Sequence, residues 1–324
     1  GKTISMDEIM QMYVYIPRYK YQLFNANNGT SVEQAINITF ESKTTAKSTG
    51  SRNGAWLTHP AFTFGDKELA GIWVGKFETS NTSSLPKIVP NVSSLRSMNV
   101  SDQFNTSRLM TTTLASTYGT STNDDSHMMK NMEWGAVAYL SSSIYGRYTN
   151  ASTCIESGCE VWINSNYDYT TGCAGSSVSA EYESTCNAWN TATGVNASTT
   201  GNIYGIYDMS GGTGEYVMGN YNDTISKSGF SSMPEAKYYD KYTGPNSDSD
   251  FTRYHLGDAT KETLKTKSTR KDAWYGDCSY PVYSSYPWVL RGNNYGLNAR
   301  VFGISNYDGS GNINTSFRVV LGAL

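Results

Sequence analysis

The sequence predicts a mixed α+β domain with few helices, and three observations carry that prediction. Helical periodicity is confined to short stretches. Short apolar runs recur between turn residues, and polar stretches without periodicity separate them. At 324 residues the chain can bury a sizeable core, and it is read as one domain over 1–324 with an N-terminal strand region at 1–52.

In chain order the strand candidates are "MYVYIPRY" (12–19), "AINITFES" (35–42), "GIWVGKFET" (71–79), "EYVMG" (215–219), "WVLRG" (288–292) and "FRVVL" (317–321). The best helical pattern is 126–145, with Met129, Met132, Ala136, Val137 and Leu140 on one face, Asp125 or Ser126 as cap and Gly146 as stop. A second helix is expected over 101–111, capped by Ser101 and anchored by Val100, Phe104 and Met110. A short third is expected over 258–265. The polar stretches 43–52, 174–200 and 220–250 read as loops, with the larger insertions near 150–200 and 220–275.

Charged residues make up 16% of the chain and the formal net charge is −3, which argues against a nucleic-acid partner. Solubility comes instead from Ser, Thr, Asn and 25 Tyr, a composition common on secreted and surface proteins. No run approaches the ~20 apolar residues needed to span a bilayer, and no signal peptide is read. Because the sequence begins Gly1-Lys2-Thr3, a signal or anchor is expected to have preceded it. Membrane attachment is therefore expected only through a segment outside this chain.

Of the five cysteines, Cys154, Cys159, Cys173 and Cys186 lie in one stretch rich in Ser, Thr and Gly, and Cys278 stands apart. Pairs Cys154–Cys159 and Cys173–Cys186 would each close a short loop, although spacing alone leaves other pairings open. A zinc site is not expected, because no C-x-x-C occurs and His59, His127 and His255 are distant in sequence.

Six separated stretches then line up in one order: "VYIPRY" (14–19), "WVGKFETS" (73–80), "EWGAVAYL" (133–140), "GNIYGIYDMSGGTGEYVMGN" (201–220), "WVLRG" (288–292) and "SFRVV" (316–320). Together they resemble the landmarks of the formylglycine-generating-enzyme (sulfatase-modifying-factor) family. That resemblance implies a variant of the C-type lectin fold, with short antiparallel strands and many loops. Gly201, Gly205, Gly211 and Gly212 read as a chain reversal. Trp134, Tyr139, Tyr204 and Tyr207 read as core pillars. The family's Glu matching Glu215 binds calcium, which makes Glu215 a candidate ligand of a structural calcium. Here, however, "SGGTGEY" lacks the family's Asn and Trp.

The family's activity does not carry over. Its oxidising members place two cysteines in the segment matching 291–318, which has none here, and the three-histidine site of its iron-dependent relatives is also missing. No GxSxG elbow marks a nucleophile. No catalytic residue is therefore assigned, and no cofactor is expected beyond the candidate calcium.

The closing segment 291–318 has another character. Between its fixed ends, 293–314 is rich in Asn, Tyr, Gly and Ser, the residues from which paratopes are built. This arrangement resembles the C-type-lectin-fold variable proteins diversified by retroelements, in which a C-terminal cassette is rewritten at template adenines. Residues such a process yields are Asn293, Asn294, Tyr295, Leu297, Asn298, Arg300, Ile304, Asn306, Tyr307, Asp308, Asn312 and Asn314. Lys, Glu, Gln, Met and Trp, which it does not yield from Asn codons, are absent from the interval. Leu297 and Ile304 are expected to support binding if exposed, whereas Val301 and Phe302 are expected in the core.

The resulting expectation is a surface-displayed or extracellular binding protein that recognises a protein or glycan on another cell or virus through 293–314. Two other readings stand beside it. One is an enzyme of the same fold with a non-standard site, such as a reactive Cys278. The other is a structural subunit of a pilus or capsid.

Overall fold

A computed structural model describes residues 4–42, 44, 46–266, 273–292 and 300–322. Its main strands in the first half are β1 (Tyr13–Pro17), β2 (Tyr19–Gln22), β3 (Ile38–Phe40), β4 (Trp56–Thr58), β5 (Gly71–Gly75) and β6 (Ser126–Met128). The second half adds β7 (Gly214–Tyr221), β8 (Asp240–Tyr242), β9 (Trp288–Arg291), β10 (Ile304–Tyr307), β11 (Thr315–Phe317) and β12 (Val319–Gly322). The longer helices are α1 (Val100–Arg108) and α2 (Asn131–Ser141). The fold is mixed α+β with few helices and several small, mainly antiparallel sheets.

One sheet has the order β1-β5-β12-β6, antiparallel throughout, so strands from near both ends of the chain meet on β5. Its alternation is plain in β5, where Ile72 and Val74 are buried while Trp73 faces out and packs on Tyr15 at 4.9 Å. The second sheet has the order β8-β7-β9-β10, with β11 also on β7. Strand β7 is buried along its whole length, because β11 and β8 flank it in parallel and β9 pairs with it antiparallel. A third sheet joins β3, β2 and β4.

Helix α2 packs between these sheets, with Trp134, Ala136, Val137 and Tyr139 buried. At Gly135 a side chain would collide with the carbonyl of Gly257, so this one position admits only glycine.

Several sequence expectations need correction. Residues 126–128 form β6 rather than the first turn of a helix, because His127 and Met128 pair with Val320 and Val319. The helix starts at Asn131, where Glu133 Oε2 accepts the Lys130 N–H at 2.8 Å, and it ends before Gly146. Helix α1 is capped by Asn99, whose Oδ1 accepts the Asp102 N–H at 2.9 Å, not by Ser101.

The 258–265 stretch forms turns, with Asp258 Oδ1 accepting the N–H groups of Thr260 and Lys261 at 2.9 Å each. The run 12–19 breaks at Arg18, whose buried guanidinium meets Glu41 at 2.8 Å and Glu68 at 2.7 Å, so β1 and β2 join different sheets. Tyr204 is 75% exposed rather than a core pillar, whereas Trp134, Tyr139 and Tyr207 are buried.

Disulfides join Cys154 to Cys159 and Cys173 to Cys186, with Cα–Cα distances of 4.7 and 4.8 Å. Among the described residues no helix is long and apolar enough to cross a membrane.

Candidate recognition face

Strands β9 and β10 pair in the register Trp288↔Tyr307 to Arg291↔Ile304, so the two ends of the 292–303 connection are tied together at its base. Arg291 is fully buried there. Its Nε donates to Asn131 Oδ1 at 2.8 Å, Nη1 to the Gly303 carbonyl at 3.0 Å, and Nη2 to Thr260 Oγ1 at 2.8 Å. Gly292 follows with φ +66°, a conformation that favours glycine.

At the far end of the connection the chain is again anchored. The Val301 carbonyl accepts Trp134 Nε1–H at 2.8 Å, the Phe302 N–H donates to Asp277 at 3.1 Å, and the Phe302 ring lies 5.0 Å from Trp274. Val301 and Phe302 are core residues.

The second frame arginine, Arg318, is equally buried. It faces Glu215 through two nitrogens and donates to the carbonyls of Gly75 at 2.8 Å and Tyr207 at 2.9 Å. The carboxylate considered as a calcium ligand is thus engaged by a guanidinium. Glu78 and Asp208 lie in the same buried cluster. Burial, then Asp208 and Glu215, hold the Glu78 carboxyl well above the usual carboxylate range. Among the described residues no group of three or more His, Cys, Asp or Glu is arranged to hold a metal.

The residues read as contacts divide sharply. Asn293, Asn294, Tyr295, Leu297 and Asn298 lie outside the described residues. Ile304, expected to support binding if exposed, is 1% exposed: it starts β10 opposite Arg291 and points into the core. Arg300 is half-buried and ion-paired with Glu160.

Asp308 is buried against its own turn, where its Oδ1 accepts Ser310 N–H at 3.0 Å and Oγ–H at 2.6 Å, while Oδ2 meets Lys227 at 2.9 Å. Burial would raise its pKa, but Ser310 and Lys227 outweigh it and hold the carboxyl below its usual range. Asn312 and Asn314 are likewise turn residues. Asn312 Oδ1 accepts the Asn314 N–H at 2.8 Å, and Asn314 Oδ1 accepts Tyr169 O–H at 2.5 Å.

Asn306 and Tyr307 remain half-exposed beside Ser305. Asn306 Nδ2 donates to the Pro281 carbonyl at 2.6 Å. The Tyr307 ring stacks on Tyr286 at 6.2 Å and 13°, and Tyr286 in turn meets Tyr283 edge-on at 5.6 Å. This row of tyrosines extends the face beyond 291–318. Sequence reading missed Tyr283 and Tyr286, although the tyrosine density of "SYPVYSSYPW" was the available signal.

The three histidines have separate surroundings. His59 is fully buried, which pushes its pKa down to about 3. His127 bonds Glu133 at 2.9 Å in the core, and His255 packs against Tyr242 at 5.1 Å. Cys278 is half-buried, and its carbonyl accepts the Ile304 N–H at 2.9 Å.

No family model matches the chain, and no curated protein matches it. Among solved structures it is similar to variable protein 1 of Treponema denticola, with 15% identity and a TM-score of 0.25 over 61% of this chain and 48% of that one. The chain thus spans about half of that protein's length. It is also similar to PvdO from Pseudomonas aeruginosa, with 11% identity and a TM-score of 0.38 over 96% of this chain and 94% of that one.

Proposed function

We propose that the chain is a non-catalytic ligand-binding protein of C-type-lectin type. It is displayed at a cell surface or outside the cell, and its C-terminal segment is diversified by a retroelement to recognise proteins or glycans on another cell or virus. One observation carries the reading: the β9–β10 pair and the buried Arg291 close the base of the 292–303 connection, while Ser305, Asn306 and Tyr307 keep solvent-facing surface beside it. A scaffold fixed in this way tolerates changes in the residues it presents. The composition of 293–314 suits adaptable contacts, with tyrosine supplying area and amides supplying hydrogen bonds.

The test is to sequence the gene's locus in several isolates of one population. The proposal expects a near-repeat of the 291–318 coding stretch beside a reverse-transcriptase gene, differing mainly at adenines. A solitary gene with an unvarying 3′ end would sink it.

A further inference from the structure

A cleft lies away from β10, between the N-terminal segment, the 80–93 region and the loop that carries Trp189. Its volume is 580 Å³, within the ~300–1,000 Å³ of small-ligand sites. Trp189 is half-buried. Its ring meets the buried Phe77 at 5.8 Å, with Lys76 Nζ 5.0 Å from its centroid, and its remaining surface lines the cleft. Burial lowers the Lys76 pKa to about 8, and its ammonium is held by the Ile203 carbonyl, so the indole is fixed from behind.

The rest of the lining mixes the apolar residues Met6, Ile9, Val89, Pro90 and Val92 with polar ones, some of which are already bonded within the chain. The side chains of Asn91, Asn190, Asp7 and Lys87 make no hydrogen bond or ion pair among the described residues, and all four line the cleft. One acid and one base cancel in charge. What remains, beside the apolar residues, is a fixed aromatic ring flanked by two uncommitted amides, Asn91 and Asn190, each carrying donors and an acceptor.

From this arrangement we infer that the cleft is a binding site for a neutral saccharide of about disaccharide size. The C–H face of a pyranose covers the indole, and its hydroxyls exchange hydrogen bonds with Asn91 and Asn190. An anionic ligand would meet Asp7 without a surplus of cations, and a purely apolar one would make no use of the two amides. The site is separate from the 293–314 face but adjoins it. Ser93 lines the cleft, and in the same segment the Ser97 N–H donates to the Asn312 carbonyl at 3.0 Å.

The experiment is a titration of the ¹⁵N-labelled protein with maltose, cellobiose and N,N′-diacetylchitobiose, following the Trp189 indole N–H. That resonance is assigned by its loss in Trp189→Phe. The expected result is a saturable shift with at least one disaccharide at about millimolar Kd, weakened about fivefold in Asn190→Ala. Asn190 is exposed, so this variant folds as the parent does. No shift with any of the three, an unchanged affinity in Asn190→Ala, or an equal shift with sodium sulfate would overturn the inference.

Discussion

Arg318 and Glu215 face each other in the core through two bonds, Nε to Oε2 at 3.1 Å and Nη2 to Oε1 at 2.5 Å, and neither side chain is exposed. Residue by residue, Glu215 lies opposite Ser316 on the parallel β7–β11 pair, so the ion pair ties the end of the C-terminal segment to the most buried strand. Removing one partner leaves the other charge buried and uncompensated. Arg318→Met should therefore destabilise by about 3–5 kcal/mol, with part of the loss restored by adding Glu215→Gln. Urea unfolding of the single and double variants checks this, and additive losses would count against the pairing.

Glu262 supplies a pH dependence. Burial pushes its pKa up to about 8, against the Tyr139 and Tyr21 hydroxyls and the Gly257 N–H that favour the ionised form. Its folded pKa lies above its ordinary value of 4.5, so the folded state holds an extra proton between those values. The associated stability is fully present below pH 4.5 and is lost as pH rises through about 8. Urea-derived stability across this window should fall with pH, Glu262 contributing up to about 1.4 kcal/mol per unit. The fall should be shallower in Glu262→Gln, with the remainder carried by other raised carboxyls such as Glu78 and Glu215. Parallel profiles for the two proteins would contradict it.

Ile304 and Tyr307 share one strand but should respond differently. Ile304→Ala opens a cavity in the core and should cost about 2–4 kcal/mol. Tyr307→Ala removes a half-exposed ring stacked on Tyr286 and should cost about 1 kcal/mol. Thermal unfolding separates the two, and equal losses would show that Tyr307 belongs to the core.

The two disulfides should differ in weight. Cys173–Cys186 spans 13 positions and Cys154–Cys159 spans 5, so the longer loop loses more freedom in the unfolded chain. Serine pairs at the two bridges should cost about 3 and about 2 kcal/mol respectively. Calorimetry of both double variants reads the order, and a reversal would place the difference in native-state contacts instead.

Much of the scaffold was legible because it rests on local pattern. The apolar runs at 71–79, 215–219 and 288–292 became strands, and the cysteine spacing within 154–186 matched the two bridges formed. What escaped depends on partners far away in the chain. The 126–128 stretch fits a helical face, yet Val319 and Val320 recruit it as an edge strand.

Sequence reading marks Ile304 as a contact because it is a residue that adenine rewriting yields, with exposure as the condition. Its place opposite Arg291 is set by a register that no window of sequence contains. The tyrosine row is the same kind of case, since Tyr286 and Tyr307 meet only after β9 and β10 pair.

The most direct measurement is a displayed library in which 293–299 and Ser305, Asn306 and Tyr307 are randomised together to Asn, Tyr, Asp, Ser, Gly and Thr. Folding is read by resistance to protease, and recognition by selection against an unrelated test protein. The account predicts that most members stay folded and that selection enriches members differing from one another only at these positions. A library that mostly unfolds, or a folded one from which no binder emerges, would contradict the claim that this segment is a replaceable recognition face on a fixed scaffold.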